Sequence, residues 1–217
     1  MYMKKIISVI LSTVLTVGML VPQMSASAAS SYNYAEALQK SFFFYEAQQA
    51  GPLPEWNRVE WRGDSTMNDA VLGGWYDAGD HVKFNLPMSY SAAMIGWSLY
   101  EYPEGYEKTG QMEIAKNNLK FVLDYLVACD KGDSVVYQIG DGGADHVWWG
   151  PVEVIEKEMK RPAYTCNASC VTGEMAAALA IGSIVLNNDT YLKHAKSLFN
   201  LADSVRSDSS YTKANGY

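Results

Sequence analysis

Apolar residues recur at three- and four-residue steps through most of this chain, and that period restricts it to a helical architecture. The clearest case is residues 189–206, where Tyr191, Leu192, Ala195, Leu198, Phe199, Ala202 and Val205 line one face. Asn188 or Asp189 is placed to cap its start. Residues 31–49 carry a second stripe, with Tyr34, Leu38, Phe42 and Tyr45, and Gly51-Pro52-Leu53-Pro54 closes it. Residues 88–102 read as a helix apolar nearly all round, which predicts burial on most sides. Residues 111–129 set Ile114, Phe121, Val122, Tyr125 and Leu126 against Lys116, Asn117, Lys120 and Asp124. Residues 172–186 form an Ala-rich helix suited to close packing. Residues 135–139 suit a short strand, and residues 151–159 a short helical piece. The fold class is therefore all-α, in one domain, with no internal repeat. Its longer connections concentrate Gly, Asp, His and Trp, as functional loops do.

The first residues speak to compartment. Lys4 and Lys5 precede an uncharged, almost wholly apolar run over residues 6–21, followed by Ser25-Ala26-Ser27-Ala28-Ala29. This is the layout of a secretory signal cleaved after Ala28 or Ala29, so residues 1–29 are set apart from the fold. A membrane anchor is the competing reading. The run is at the short end for a span and the small-residue site follows it directly. An exported product that does not stay in the membrane is expected. The net charge of −7 argues against nucleic acid as partner. Cys129, Cys166 and Cys170 are an odd number, and His81, His146 and His194 lack zinc-finger spacing, so idle thiols are favoured over a metal pair.

Two segments carry candidate chemistry. Residues 73–84 read Gly-Gly-Trp-Tyr-Asp-Ala-Gly-Asp-His-Val-Lys-Phe. Asp77 and Asp80 sit three apart, with a glycine that lets a tight turn aim both carboxylates into one space. Such a pair can activate a water, one acid taking its proton while the other orients it. Spacing alone favours the plainer readings, an Asx-rich turn or a calcium loop. Residues 140–151 place Asp145, His146, Trp148 and Trp149 in a second Gly-rich stretch. Indole suits the apolar face of a sugar ring, and it also suits a helical core. Composition leaves the two open. No strand–GxGxxG–helix context surrounds Gly140 and Gly142, so no nucleotide loop is read there.

Taken in order, these residues resemble the beginning of a glycoside hydrolase family 9 catalytic domain, the family of secreted endoglucanases. The likeness runs from Tyr32-Asn33-Tyr34-Ala35-Glu36-Ala37 through Trp61-Arg62-Gly63-Asp64-Ser65 and residues 73–84 with Leu86-Pro87-Met88. It continues through Asp141-Gly142, the stretch from Asp145 to Pro151, Arg161-Pro162-Ala163-Tyr164 and Ala176-Ala177-Ala178-Leu179-Ala180. It covers essentially all of residues 30–217. The resemblance implies an (α/α)6 barrel, of which this chain holds the first half or so of the helices. It implies Asp80 as general base, with Asp77 positioning the same water. His146 and Trp149 fall at positions that contact glucose units, and Trp148 beside them is as well read as packing. The implied substrate is a β-1,4-glucan such as cellulose, cut with inversion. Within this segment no cofactor or metal is expected; calcium belongs to the complete domain. The Arg62-Gly63-Asp64 tripeptide is read as structural or cleft-lining, not as an adhesion signal.

Departures from the family pattern matter too. The stretch between Asp69 and Gly73 is short, and so is the one between Asn167 and Glu174. The family's general acid, a Glu in an Asn-Glu-Val type motif far downstream, has no counterpart here, nor has the Ser-x-x-x-Asp-Glu calcium stretch. Inverting hydrolysis needs an acid opposite the base, so this segment alone is expected to be inactive or nearly so. The alternative is a non-catalytic secreted glucan-binding protein.

Overall fold

A computed structural model describes residues 32–213 of the chain. The expected secretory signal lies outside the described residues. Helix α1 spans Tyr34–Ala47 and buries Phe42 and Glu46. A long irregular stretch leads to a two-residue strand, β1 (Lys83–Phe84), which runs straight into α2 (Asn85–Glu101). Helix α3 (Pro103–Lys108) follows at once. Sequence reading takes Pro103 as an end marker, but proline also suits the first helical position, where its missing N–H has no partner to lose. The buried Tyr106 of α3 anchors it, with its hydroxyl bonded to Ser98 Oγ.

Helix α4 (Met112–Cys129) packs Ala115, Leu119, Val122, Leu123 and Leu126 fully inside. Strand β2 (Val135–Ile139) is buried at every position. It is the centre of a three-stranded antiparallel sheet, paired with β1 on one side and with β3 (Ala163–Cys166) on the other. Lys83 pairs with Ile139 and Val135 with Cys166, with a bulge between Val136 and Gln138. This small sheet adds β to the expected all-α reading. Its outer strands are short and β3 buries only Cys166, so they carry almost no period-two signal.

Between β2 and β3 lie α5 (Gly142–Asp145), a 3-10 turn at Val152–Val154 and α6 (Ile155–Glu158). The chain closes on α7 (Ser169–Val185) and α8 (Asp189–Val205). Asn188 caps α8 by accepting from Thr190 N–H at 2.9 Å, and Arg206 ends it in a left-handed conformation. Helix α7 packs against α2, α4 and α8. Among the described residues the helices close no barrel, as a first portion of one would not. The outer side of α2 is correspondingly open. Tyr90, Met94, Trp97 and Tyr100 are each more than half exposed, although an all-round apolar helix predicts burial on most sides.

Helix α7 approaches α4 closely enough to require Gly182. A methyl group there would sit inside the Leu123 side chain. Gly182→Ala is expected to cost about 1–3 kcal/mol through overpacking, against the small gain an alanine normally gives a helix. Chemical denaturation with an unchanged m-value checks it; an unchanged or raised midpoint would refute the close approach.

Candidate active site

The site begins with how residues 73–84 are held. Gly74 has φ +78°, and a Cβ there would meet the Tyr125 ring at 2.8 Å, so only glycine brings the chain this close to α4. Tyr76 is buried and its hydroxyl lies 2.9 Å from Ser65 Oγ and 2.7 Å from Thr66 Oγ1. After it the chain reverses. Asp77 N–H donates to Val82 O at 2.9 Å and Asp80 N–H to Asp77 O at 3.0 Å. Ala78, between the two acids, sits at φ +32°, where a side chain is strained. Gln48, from the end of α1, donates to the Ala78 carbonyl and braces the turn.

Beneath the turn is a buried group of three charges. Lys83 Nζ donates to Asp69 Oδ2 at 2.8 Å, Val71 O at 2.8 Å and Gly73 O at 3.0 Å, which uses all three of its protons. Arg161 takes both oxygens of the same Asp69, at 2.7 and 3.2 Å. Burial pulls the Lys83 ammonium below its ordinary pKa, and the Asp69 charge opposes that pull. Sequence reading places Lys83 in the motif without a role and passes over Asp69. Nothing in local pattern announces a buried lysine.

The second stretch meets the first across a cleft of about 630 Å³, lined by Gly79, Asp80, His81, Asp145, His146, Trp148, Trp149, Gly150 and Pro151. Asp141 caps α5 by accepting from Ala144 N–H at 3.0 Å and takes the Tyr164 hydroxyl of β3 at 3.2 Å. The single turn of α5 then delivers Asp145 inward and His146 toward Asp80. His146 Nε2 lies 2.8 Å from Asp80 Oδ2, while Asp80 Oδ1 accepts from Val82 N–H at 2.8 Å. Trp148 is half-buried, edge-on to His81 with ring centres 5.3 Å apart. Trp149 is 90% exposed. Asp77 does not line this cleft. It lines a smaller pocket of about 80 Å³ on the α1 side, with Phe44, Tyr45, Gln48 and Trp75.

So Asp80, His146, Trp148 and Trp149 line one cleft, and Asp77 lines the neighbouring pocket on the α1 side. The Asp77 charge still reaches Asp80. Burial raises the Asp80 carboxyl above the usual range; the His146 and Val82 hydrogen bonds pull it back, and the Asp77 and Asp145 charges add to the rise. Because the folded value is raised, ionising Asp80 works against folding. That contribution to stability is present in acid and is lost as pH rises from the ordinary aspartate value near 3.9 through the raised one. His146→Ala is expected to move the Asp80 midpoint further up, since a group favouring the charged form is removed. A carbonyl ¹³C titration of the Asp80 carboxyl reads this, and a fall in the midpoint would show that His146 does not support the carboxylate.

Within the WRGDS stretch, Arg62, Asp64 and Ser65 hold the loop together, while Trp61 is exposed. The Arg62 side chain is buried, bonded to Ala47 O, Gln49 O, Ser65 Oγ and Glu153 Oε1. Asp64 Oδ1 accepts from Leu53 N–H at 2.8 Å. Glu156 likewise holds the Asn68 N–H and side-chain amide. The three thiols are free. Among the described residues no three His, Cys, Asp or Glu side chains converge as a metal site, and no helix is long and apolar enough to cross a membrane.

The sequence pattern of Glycosyl hydrolase family 9 matches residues 34–217. Endoglucanase B of Cellulomonas fimi is 49% identical over 209 residues, covering 88% of this chain and 20% of that protein. Endoglucanase A of Bacillus pumilus is 47% identical over 194 residues, covering 82% and 29%. Among solved structures, endoglucanase CelQ from Clostridium thermocellum complexed with cellotriose is 73% identical with a TM-score of 0.85, over 86% of this chain and 31% of that one. The endoglucanase of the termite Nasutitermes takasagoensis is 37% identical with a TM-score of 0.80, over 83% and 45%. The chain thus spans from a fifth to less than half of the length of these relatives. Identity at this level, sustained from the first helix to the last, has one source: the chain belongs to Glycosyl hydrolase family 9.

Proposed function

We propose that this chain carries the base side of an endo-β-1,4-glucanase catalytic domain, which in its complete form hydrolyses cellulose with inversion. The observation that carries the reading is Asp80, a carboxylate hydrogen-bonded to His146 in the same cleft that presents the exposed Trp149. The solved CelQ relatives hold cellotriose and cellotetraose, which supports a β-1,4-glucan as the ligand class.

In this mechanism the glucan chain lies along the cleft with a ring face on Trp149. Asp80, ionised, takes a proton from a water that attacks the anomeric carbon from the face opposite the leaving oxygen. Asp77 helps to position the same water, and it is tied to Asp80 by its charge and by the backbone bond from Asp80 N–H to Asp77 O. The proton donor to the leaving oxygen must stand about 6.5–9.5 Å from the base on the other side of the bond. Of the nearby glutamates in sequence, Glu153 and Glu156 both already hold loop backbone, at Gly63 and Asn68. The acid is therefore assigned to a part of the domain other than these residues. Calcium, implied only for the complete domain, is given no ligand here, and no step passes through it. Export and signal cleavage after Ala28 or Ala29 belong to the same proposal.

The test measures reducing sugar released from carboxymethylcellulose by the chain, alongside cellotetraose binding followed by tryptophan fluorescence. Binding with turnover reduced by roughly 10²–10⁴ relative to a complete family enzyme is expected, the usual worth of general acid assistance. Turnover at a full enzyme's rate would overturn the division of acid and base. Absence of binding would overturn the glucan cleft.

A further inference from the structure

One residue of the cleft has a side chain that neither the base assignment nor the tryptophan platform uses. His81 follows Asp80 directly, lines the cleft, and has a side chain 19% exposed. Its position is firmly determined. Tyr76 meets its ring edge-on at 6.1 Å and Trp148 at 5.3 Å from the other direction. Its backbone N–H donates to Asp145 Oδ1 at 3.0 Å.

The same Asp145 decides which ring nitrogen carries the proton. Its side chain is 1% exposed, and Oδ1 lies 3.4 Å from His81 Nδ1, which is buried and hydrogen-bonded to no other group. A bare nitrogen lone pair facing a buried carboxylate would be repelled and would leave both groups unsatisfied. Nδ1 therefore carries hydrogen. The Asp145 carboxyl is itself ionised. Burial pushes it up, but the side-chain and backbone hydrogen bonds of His81 outweigh that and leave it below the ordinary aspartate value. With Nδ1 protonated, Nε2 of a neutral ring is a hydrogen-bond acceptor. Nε2 is not among the buried unsatisfied atoms, and no described residue partners it, so it is left to whatever enters the cleft.

We propose that His81 is a glucan-binding residue of the cleft, its Nε2 accepting a sugar hydroxyl beside Asp80 while Asp145 acts as the positioning residue that sets its tautomer. The ligand class follows from the chemistry. A lone acceptor recessed next to a carboxylate base and an indole face suits a neutral polyhydroxyl ring, and the carboxylates around it disfavour an anion. This inference rests on the reading of the cleft as a glucan site, and it places the sugar contact within one residue of the base.

Asparagine and glutamine separate the two nitrogens of His81. Asparagine reproduces the donor at Nδ1 and ends short of Nε2, whereas glutamine reaches the Nε2 position with an acceptor. The experiment uses the ¹⁵N-histidine-labelled chain, with cellotetraose as the probe. His194, whose Nδ1 lies 2.8 Å from Asp130 Oδ2 away from the cleft, is the internal reference. In the free protein above the histidine titration range, the His81 imidazole is expected as the Nδ1–H tautomer. On addition of cellotetraose its Nε2 resonance shifts while those of His194 stay in place. His81→Asn is expected to weaken cellotetraose binding about three- to tenfold, the worth of one neutral hydrogen bond. His81→Gln is expected to hold affinity within about twofold of the parent, since it restores the acceptor. An Nε2–H tautomer in the free chain, or undiminished binding by His81→Asn, overturns the proposal while leaving the glucan cleft standing. If the parent chain binds no cellotetraose, the glucan cleft falls and this assignment falls with it, whatever the tautomer.

Discussion

Asp69→Ala is expected to lower the stability of the chain by about 3–5 kcal/mol, the usual cost of removing one partner from a buried ion pair. Asp69 is the sole acid in a group with two cations. Lys83 has no exposed side-chain surface and Arg161 has 4%. Without Asp69 both positive charges remain in the interior, facing each other, and Arg161 Nη1 already lacks a partner. The Lys83 ammonium, already pulled below its ordinary value by burial, loses the group that opposes the pull. For a chain of this length the loss corresponds to a fall in melting temperature on the order of 10 °C. It should reach the cleft as well, because Lys83 holds the carbonyls of Val71 and Gly73 just ahead of the Asp77–Asp80 turn. A triple replacement of Asp69, Lys83 and Arg161 by apolar residues should recover part of the loss, since no lone charge is left, but not all of it, since those two carbonyls lose their donor. Thermal melts of the single and triple variants decide the matter. A single variant that melts within a degree or two of the parent would mean that this network carries no stability.

This network also marks where sequence reading stops. Long helices are legible because burial of one face repeats every three or four residues over several turns, so each of the five long helices is found within a few residues of its bounds. The short pieces are not, because they hold too few residues to repeat. Strand β1 is two residues long, and α5 is one turn inside a stretch that reads as a Gly-rich loop. Helix α3 hides behind a proline that serves equally to stop a helix or to start one. Chemistry-bearing residues were visible as types in order, and Asp80, His146, Trp148 and Trp149 do share a cleft. What stayed invisible is pairing at a distance. Asp69 and Arg161 are 92 positions apart, and His81 and Asp145 are 64 apart. His146 illustrates the same limit. Order in the chain marks it as a sugar contact, whereas the fold also gives it the Asp80 carboxylate. A carboxylate looks the same in sequence whether it caps a loop, as Glu153 and Asp64 do, or faces a cleft.

The adjacent tryptophans are where the glucan reading makes its largest prediction about binding. Trp149→Ala is expected to weaken cellotetraose binding by about 30-fold, which corresponds to about 2 kcal/mol. The size follows from area. A sugar face laid on an indole removes on the order of 100 Å² of apolar surface from water, at about 25 cal/mol per Å², and a buried tryptophan anchor at an interface is commonly worth about 2 kcal/mol or more. In the free chain that surface is open, with Trp149 90% exposed, so the substitution should change stability by no more than about 0.5 kcal/mol. Trp148→Ala should behave in the opposite way. Its ring is packed against His81 and the small cluster of Tyr76, Val152 and Ile155, so truncation opens a gap under the cleft floor and lowers the melting temperature. Any loss of binding in that variant comes with loss of the His81 position. The pair can be separated by isothermal titration with cellotetraose and a thermal melt on each variant. If Trp149→Ala binds as tightly as the parent, the exposed indole is not a sugar platform, and the cleft must hold its ligand through His81, His146 and Asp80 alone. If instead Trp149→Ala loses both binding and stability, its exposure in the free chain is not what makes it available, and the division of the dipeptide into one structural and one binding ring is wrong.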